Sequence, residues 1–293
     1  MTEGVPAAVS RACTALIGAP ARTAQRLAAG TRTAVYRTGL ADGRSVVVKL
    51  YAATARRNAI TEGSAIRAVC TRVPVPAVLG CGTLPGHEST ALITADLGPL
   101  TLGGAVRSGQ VPSERALRDL GGLLGRLHRA PVHVSTPRRP FHEEVSSLGR
   151  RCRSGTLDRI APVLAVIADA SHTAPVWCHG DVHYDNVVIS GPRAVRHLVD
   201  FTEAAPGTRE SDIAQTLVMA DALASVRART LTDAYPLALD DRLLSAWAVF
   251  HTLRCWAHSS PGVDHALWTG RLNELARRTP HLFHAPRPQR TRR

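Results

Sequence analysis

The segment His179-Gly-Asp181-Val-His183-Tyr-Asp185-Asn186 gathers two histidines, two carboxylates and an amide into eight residues, and Asp200 follows fourteen residues after Asn186. Between them VVIS (187–190), a turn at GPRA and RHLVDF (196–201) read as a short β-hairpin whose midpoint falls at Arg193. A hairpin symmetric about that midpoint brings Asn186 and Asp200 side by side at its open end. An amide oxygen beside a carboxylate is a hard-oxygen pair suited to Mg²⁺, an ion that keeps several water and phosphate ligands. Asp181 lies on the loop leading to Asn186, where it can face a hydroxyl next to the ion and accept its proton.

A second candidate group comes from the basic residues. Lys49 is the only lysine; the other 35 basic residues are arginines. A lysine is a compact point charge on a slim stem, which a planar guanidinium does not replace in a tight site. Its retention at the end of the apolar run RSVVVKLY (44–51) therefore marks it for chemistry. Strand alternation puts Lys49 on the face of Val47 and Tyr51. In the helical stretch from about 54 to 70, Glu62 precedes Ile66 and Val69 by four and seven residues and so lies along the apolar stripe. A carboxylate there needs a cation, and Lys49 is the economical partner.

These residues need a scaffold, and the chain supplies one in order. An N-terminal segment reads as helical. TAVYRT (33–38) and RSVVVKLY flank the turn GLADG as an antiparallel hairpin. VPVPAVLGCG (73–82) is a loop entering a strand, and ALITA (91–95) is a strand that runs into the Gly- and Pro-bearing DLGPLTLGG, the expected lobe boundary. Residues 1–95 are thus expected to form one lobe and 96–285 another. Ser113 is placed to cap a helix whose leucines at 117, 120, 124 and 127 recur at helical spacing. The pattern beyond is mainly helical, including 241–260. The basic end, 286–293, reads as a disordered tail.

Composition bounds the rest. A chain of 293 residues has room for two lobes with a cleft. Its net charge of +13 invites a nucleic-acid partner. However, residues 181–241 carry ten acidic residues against five arginines, a local acidic block that fits a cation-handling site better than a nucleic-acid groove. No run of eighteen apolar residues is present, so no membrane partner and a cytoplasmic location are expected. The six cysteines lack C-x-x-C or metal spacing and read as reduced thiols.

HGDVHYDNVVI followed by LVDFTEA resembles the catalytic and metal-binding loops of the aminoglycoside phosphotransferase and choline kinase family. VVVKLY, TEGSAIRAV, ALITADL, LLGRLHRAPV and GTRESDIA extend the resemblance in order over nearly the whole chain. It implies an α+β, protein-kinase-like bilobal fold: a small N-lobe antiparallel sheet with a helix, and a larger, mainly helical C-lobe. It also implies ATP or GTP as phosphate donor, Mg²⁺, and a small-molecule acceptor bearing a hydroxyl. By that likeness Lys49, ion-paired with Glu62, holds the α- and β-phosphates, and the backbone of Thr94, Ala95, Asp96 and Leu97 clamps the adenine. Asp181 is the base, Asn186 and Asp200 ligate the metal, and His179 and Asp212 brace the catalytic loop. His183 belongs to loop structure. Glu203 and Asp185 are candidates for the acceptor side, with a solvent-facing reading open for Asp185.

Two departures are visible. Tyr184 and Asp185 stand where the family commonly has proline and glycine. The loop expected to cover the phosphates offers only Gly30, leaving Thr31 and Thr33 as candidate contacts and the choice between ATP and GTP open. A metallophosphoesterase would need an early D-x-H and a later G-N-H-D/E, and neither occurs. Three functional classes remain: an antibiotic-modifying phosphotransferase, a metabolic small-molecule kinase, and a nucleotide-binding regulatory or nucleic-acid-binding protein. The complete set of Lys49, Asp181, Asn186 and Asp200 disfavours the third. The aromatics of 241–260 read mostly as core, with one or two open to the cleft.

Overall fold

The structure is a computed structural model that describes residues 5–29, 33–86, 89–132, 140–152, 155–170, 173–223 and 225–282. Helix α1 (Ala7–Ile17) ends at Gly18, whose left-handed backbone (φ 67°) turns the chain into the sheet. Five antiparallel strands follow: β1 (Ala21–Ala29), β2 (Thr33–Leu40), β3 (Ser45–Tyr51), β4 (Val78–Thr83) and β5 (Thr90–Ala95), in the order β1-β2-β3-β5-β4. Helix α2 (Arg56–Val69) connects β3 to β4.

Period-two alternation sorts the sheet residues between two clusters. Val46, Val48, Ala91 and Ile93 pack with α1 residues Val9, Ala12 and Cys13, whereas Tyr51 and Leu92 pack with α2 residues Ala59, Ile66 and Val69. The hairpin expected at 33–51 is present, with Lys49 paired to Val35 on one side and Leu92 on the other. The strand β1 (ARTAQRLAA) is an addition to the sequence reading. It lacks apolar alternation because it is the outermost strand of the sheet.

The C-terminal part is mainly helical: α3 (Leu102–Arg107), α4 (Ser113–Leu127), α5 (Phe141–Gly149), α6 (Thr156–Arg159), α7 (Ala161–Asp169), α8 (Arg209–Met219), α9 (Ser225–Thr232), α10 (Asp241–His258) and α11 (Val263–Arg278). Two small ribbons are set among them: β6 (Val176–Cys178) with β9 (Ala205–Gly207), and β7 (Val187–Ser190) with β8 (Val195–Leu198). Leu117, Leu120, Leu124 and Leu127 of α4 are all buried, as their spacing requires. Ser113, expected as the cap, is instead the first helical residue. Pro112 takes the N-cap position in extended conformation, and no side-chain hydrogen bond closes the end. Its fixed φ turns the chain there in place of a capping hydroxyl.

The β7–β8 register departs from the symmetric expectation by one residue. Val187 pairs with Leu198, and the Asn186 carbonyl accepts from the Val199 N–H at 3.0 Å. The turn is therefore the even-numbered Gly191–Ala194, and Asp200 sits one position beyond the residue opposite Asn186. The hairpin is stitched to both halves of the chain: Leu198 N–H donates to the Pro74 carbonyl and Ile189 N–H to the Leu100 carbonyl. The tail 286–293 and Thr31 lie outside the described residues, while Thr33 opens β2 opposite Tyr51.

Helix α4 packs closely because it is glycine-bearing on one side. A Cβ at Gly121 would collide with the Leu231 carbonyl oxygen, whereas one at Gly122 meets nothing within 4 Å. Gly121→Ala is therefore expected to cost about 1–3 kcal/mol of stability through overpacking against backbone. Gly122→Ala should leave stability unchanged or raise it by up to about 1 kcal/mol through helix propensity. Chemical denaturation of the two variants checks the contrast.

Candidate active site

Lys49 stands at the meeting point of the two halves. Its Nζ donates to Glu62 Oε1 at 2.7 Å and to Asp200 Oδ1 at 2.8 Å, with the Thr202 hydroxyl at 3.4 Å. Glu62 is 2 % exposed, so the cation that its position on the apolar stripe demanded is there. Its second oxygen accepts from the Tyr51 hydroxyl and lies 3.1 Å from the Thr202 oxygen, whose one proton goes to Asp200. Burial works against the Lys49 charge, but the Glu62 and Asp200 carboxylates outweigh it and hold the ammonium above its ordinary pKa. Burial pushes Tyr51 up, and the Glu62 charge adds to the shift, so Tyr51 stays a neutral donor.

Asp200 adopts a left-handed backbone (φ 66°, ψ 64°), which costs a non-glycine residue roughly 1–2 kcal/mol. That conformation turns its carboxylate to Lys49 and to the Thr202 hydroxyl, which donates at 2.6 Å. Burial raises its pKa, but Lys49 and Thr202 overcome this and hold it at about 2. Asp200 is thus a fixed anion.

The segment 179–186 forms one compact loop. Gly180 has φ 78°, and a Cβ there would stand 2.7 Å from the Glu203 carbonyl oxygen, so both conformation and space require glycine. Asn186 donates through Nδ2 to the Asp181 carbonyl at 2.8 Å and to Asp181 Oδ2 at 3.2 Å, which turns its amide oxygen the other way. Burial lifts the Asp181 carboxyl above its usual range; His183, His179 and Arg254 oppose that shift and Asp200 adds to it. His183 accepts the Asp185 N–H on Nδ1 at 3.2 Å, and its Nε2 lies 3.7 Å from Asp181 Oδ2. These contacts lie within the loop.

Asp212 braces this loop from beneath. Its two oxygens accept the backbone N–H groups of His179 and Gly180, both at 2.8 Å, and Oδ2 also lies 3.2 Å from His128 Nε2. His128 Nδ1 in turn meets the Tyr235 hydroxyl at 2.7 Å. Desolvation raises the Asp212 pKa, but His128, His179 and the N–H donors prevail and keep it below the ordinary value. His179 itself bonds the Val199 carbonyl through Nε2 at 3.0 Å and packs on Phe201. Tyr51, His128, Thr202 and Tyr235 belong to the site's support and were not singled out by the sequence. Their only signal was proximity to the motifs in the cases of Tyr51 and Thr202.

Asp185 does not face the acceptor side. Arg107 grips it with both terminal nitrogens (2.9 and 3.1 Å), and the Thr101 hydroxyl donates at 3.0 Å. The carboxylate is held against α3, close enough that a Cβ at position 103 would have to displace it. Asp96 is likewise committed: Arg37 and Ser45 donate to its side chain at 2.9 and 2.8 Å. The acidic block is also less concentrated than its count implied. Asp240 caps α10 and Asp221 pairs with Arg271.

Beyond Gly180 a cavity of about 260 Å³ opens between the loop and helices α5, α8 and α10. Glu203 lines it, together with Glu144, Phe141, Trp247, His251 and Arg254. Trp247 is thus the α10 aromatic that reaches the cleft.

A catalytic loop bordering a small-molecule cavity, joined to a sheet-borne lysine by one ion-pair cluster, defines a kinase-like phosphotransferase. The sequence profile of the phosphotransferase enzyme family matches residues 23–255, and the chain belongs to that family. It is a phosphotransferase acting on hydroxyl groups. The fold is similar to that of an aminoglycoside phosphotransferase mutant in ternary complex with ADP and hygromycin B (TM-score 0.64, 14 % identity, covering 92 % of this chain and 98 % of that one). Choline kinase LicA from Streptococcus pneumoniae is similar at TM-score 0.64 and 11 % identity, with 88 % and 94 % covered. Plasmodium vivax ethanolamine kinase is similar at 0.60 and 13 %, with 86 % and 82 % covered. Among the described residues no helix is long and apolar enough to cross a membrane.

Asp212 has a pKa depressed on folding, so it contributes stability above the ordinary aspartate pKa that is lost as pH falls through the folded value. Asp212→Asn presents an amide to two N–H donors and is expected to lose about 1–3 kcal/mol at neutral pH. It should also flatten the acid side of the stability curve. Denaturant unfolding across a pH series measures both.

Proposed function

We propose that the protein moves the γ-phosphate of ATP or GTP to a hydroxyl of an antibiotic-type polar natural product, and so confers resistance. The observation that carries the transfer chemistry is the placement of Asp181: its neighbour Gly180 lines the cavity, and Asn186 bonds its carboxylate. In this reading a hydroxyl entering past Gly180 meets Asp181, the base that takes its proton. Burial-raised basicity suits that task better than an ordinary aspartate. Lys49 holds the phosphates, Glu62 and Tyr51 hold Lys49, and the backbone of Thr94 to Leu97 receives the base of the nucleotide. The reaction is placed in the cytoplasm, where the nucleotide is found.

The donor set fits Mg²⁺: a fixed carboxylate at Asp200, and at Asn186 an amide whose nitrogen is already spent on Asp181. Asn186 and Asp200 would hold the ion, which when bound offsets the negative charge of the phosphate oxygens. Solved relatives with hygromycin B and kanamycin support an antibiotic acceptor. The compact, partly apolar cavity supports a second reading, a metabolic kinase acting on a small alcohol, as the choline and ethanolamine kinases do.

Asp181→Asn is expected to lower kcat by about 10²–10⁴ with nucleotide affinity retained. Lys49→Arg keeps the charge but not the compact contact and should lower kcat/KM by at least about ten-fold. A phosphate-transfer screen with Mg²⁺ and either nucleotide over antibiotics and metabolites reads both. Equal turnover by Asp181→Asn would sink the assignment. Drug protection of a susceptible host separates the antibiotic reading from the metabolic one.

A further inference from the structure

Helix α10 lines the cavity from one face with Trp247, His251 and Arg254, spaced four and three residues apart. Trp247 and His251 are stacked at 19° with centroids 5.3 Å apart, and Phe141 meets the Trp247 ring edge-on at 5.5 Å. The wall is therefore flat and largely apolar. Trp247 Nε1 and His251 Nδ1 are both buried without a hydrogen-bond partner among the described residues, in side chains 7 % and 2 % exposed. Ser211 Oγ lies 3.2 Å from His251 Nε2. Burial, reinforced by the Arg254 charge, keeps His251 neutral, so one ring nitrogen carries the only proton. If Ser211 donates to Nε2, the unpartnered Nδ1 is that N–H.

Arg254 is the charged member of the set. It is half-buried, and among the described residues its guanidinium makes no hydrogen bond or ion pair; only its backbone carbonyl is engaged, by His258. The nearest candidate partner in the loop is Asp181, whose titration feels the Arg254 charge. Yet Asp181 takes its contacts from Asn186 and His183. The two carboxylates in the lining, Glu144 and Glu203, each already have an interaction partner. A guanidinium beside an apolar wall, with five N–H donors to satisfy, is costly unless an anion meets it.

We infer that the acceptor carries an anionic oxygen group, of the carboxylate class, which binds Arg254 while a ring lies along the Trp247–Phe141 wall. This assignment rests on the phosphotransferase reading of the same cavity and narrows its substrate class. The geometry is consistent with delivery: an acid on Arg254 anchors the far side of a ring-sized molecule, and the hydroxyl is left on the side of Gly180 and Asp181. The volume of about 260 Å³ accommodates one such ring at the depth of these residues. A quaternary ammonium would find the aromatic face but also the Arg254 charge. Bidentate recognition of a carboxylate is what a guanidinium does better than an ammonium.

The test uses three matched alcohols, para-hydroxymethylbenzoate, para-hydroxymethylbenzamide and para-aminomethylbenzyl alcohol, titrated calorimetrically into the full-length protein with Mg²⁺ and ADP, and offered as acceptors with Mg²⁺ and ATP. The carboxylate is expected to bind at least about ten-fold tighter than the amide or the amine. Arg254→Gln should erase that preference and Arg254→Lys should keep part of it, so a folding defect in one variant does not decide the outcome. The proposal is overturned if the three bind alike, if the amine binds best, if none binds up to its solubility limit, or if Arg254→Gln keeps the preference. It is equally overturned if Arg254→Gln lowers kcat alike for all acceptors with no change in relative affinity, the signature of a residue acting only through the charge of Asp181. Tight carboxylate binding without transfer to any acceptor would count against the phosphotransfer reading and leave the anion site standing. Transfer to the amine in preference would do the reverse.

Discussion

The structure depends on one cation shared by two carboxylates. Lys49 comes from the sheet, Glu62 from the helix behind it and Asp200 from the end of the ribbon of the helical half, so a single ammonium ties three elements together at one point. Removing an ammonium from water is expensive, and one carboxylate would barely offset it. Two carboxylates, Glu62 taking a further proton donor from Tyr51 and Asp200 one from Thr202, more than do so. The cluster then carries an excess negative charge at its outer edge, on Asp200. That excess is what an incoming divalent cation would offset, so the ion-pair cluster and the proposed metal site are two uses of one imbalance.

The loop obeys a second, buried constraint. Two successive backbone N–H groups, at 179 and 180, converge on Asp212, which closes on both, and the left-handed Gly180 turns the chain beyond them. His128 and Tyr235 extend the chain of hydrogen bonds from α4 to the segment after α9. The position of Asp181 is thus fixed by Asp212 beneath its neighbours and by Asn186 on its own carbonyl, while its carboxylate takes one longer contact from Asn186, on Oδ2. A base bound tightly by donors would lose the basicity it needs.

Much of this was legible in the chain. The lone lysine, the carboxylate on an apolar stripe and the motif at 179–186 each implied a neighbour of stated chemistry, and Glu62 with Lys49 met the implication directly. What failed did so for physical reasons. The hairpin register was off by one because a midpoint count does not reveal how many residues the turn consumes, and Asp200 recovers its place through a left-handed backbone that no pattern announces. Asp185 looked like part of the site from its position in the motif, but the partner that holds it, Arg107, lies 78 residues away. His128 and Tyr235 were hidden for the same reason. Strand β1, at the sheet edge, had no alternation to read.

The acceptor side was the least legible, and α10 shows why. Its buried residues run from Leu243 through Leu253 with little break, so periodicity does not distinguish the face toward the core from the face toward the cavity. Only packing does: Phe250 is enclosed by the core while Trp247 and His251, one turn apart, border open space. The two sides of the catalytic loop consequently differ in electrical character. In the proposed reading the nucleotide side holds carboxylates whose charge calls for cations, while the acceptor side, along α10, adds to the Glu144 and Glu203 carboxylates a guanidinium that calls for oxygen. A loop carrying one base between fields of opposite demand can orient a hydroxyl compound by its far end, without relying on the reacting hydroxyl to bind itself.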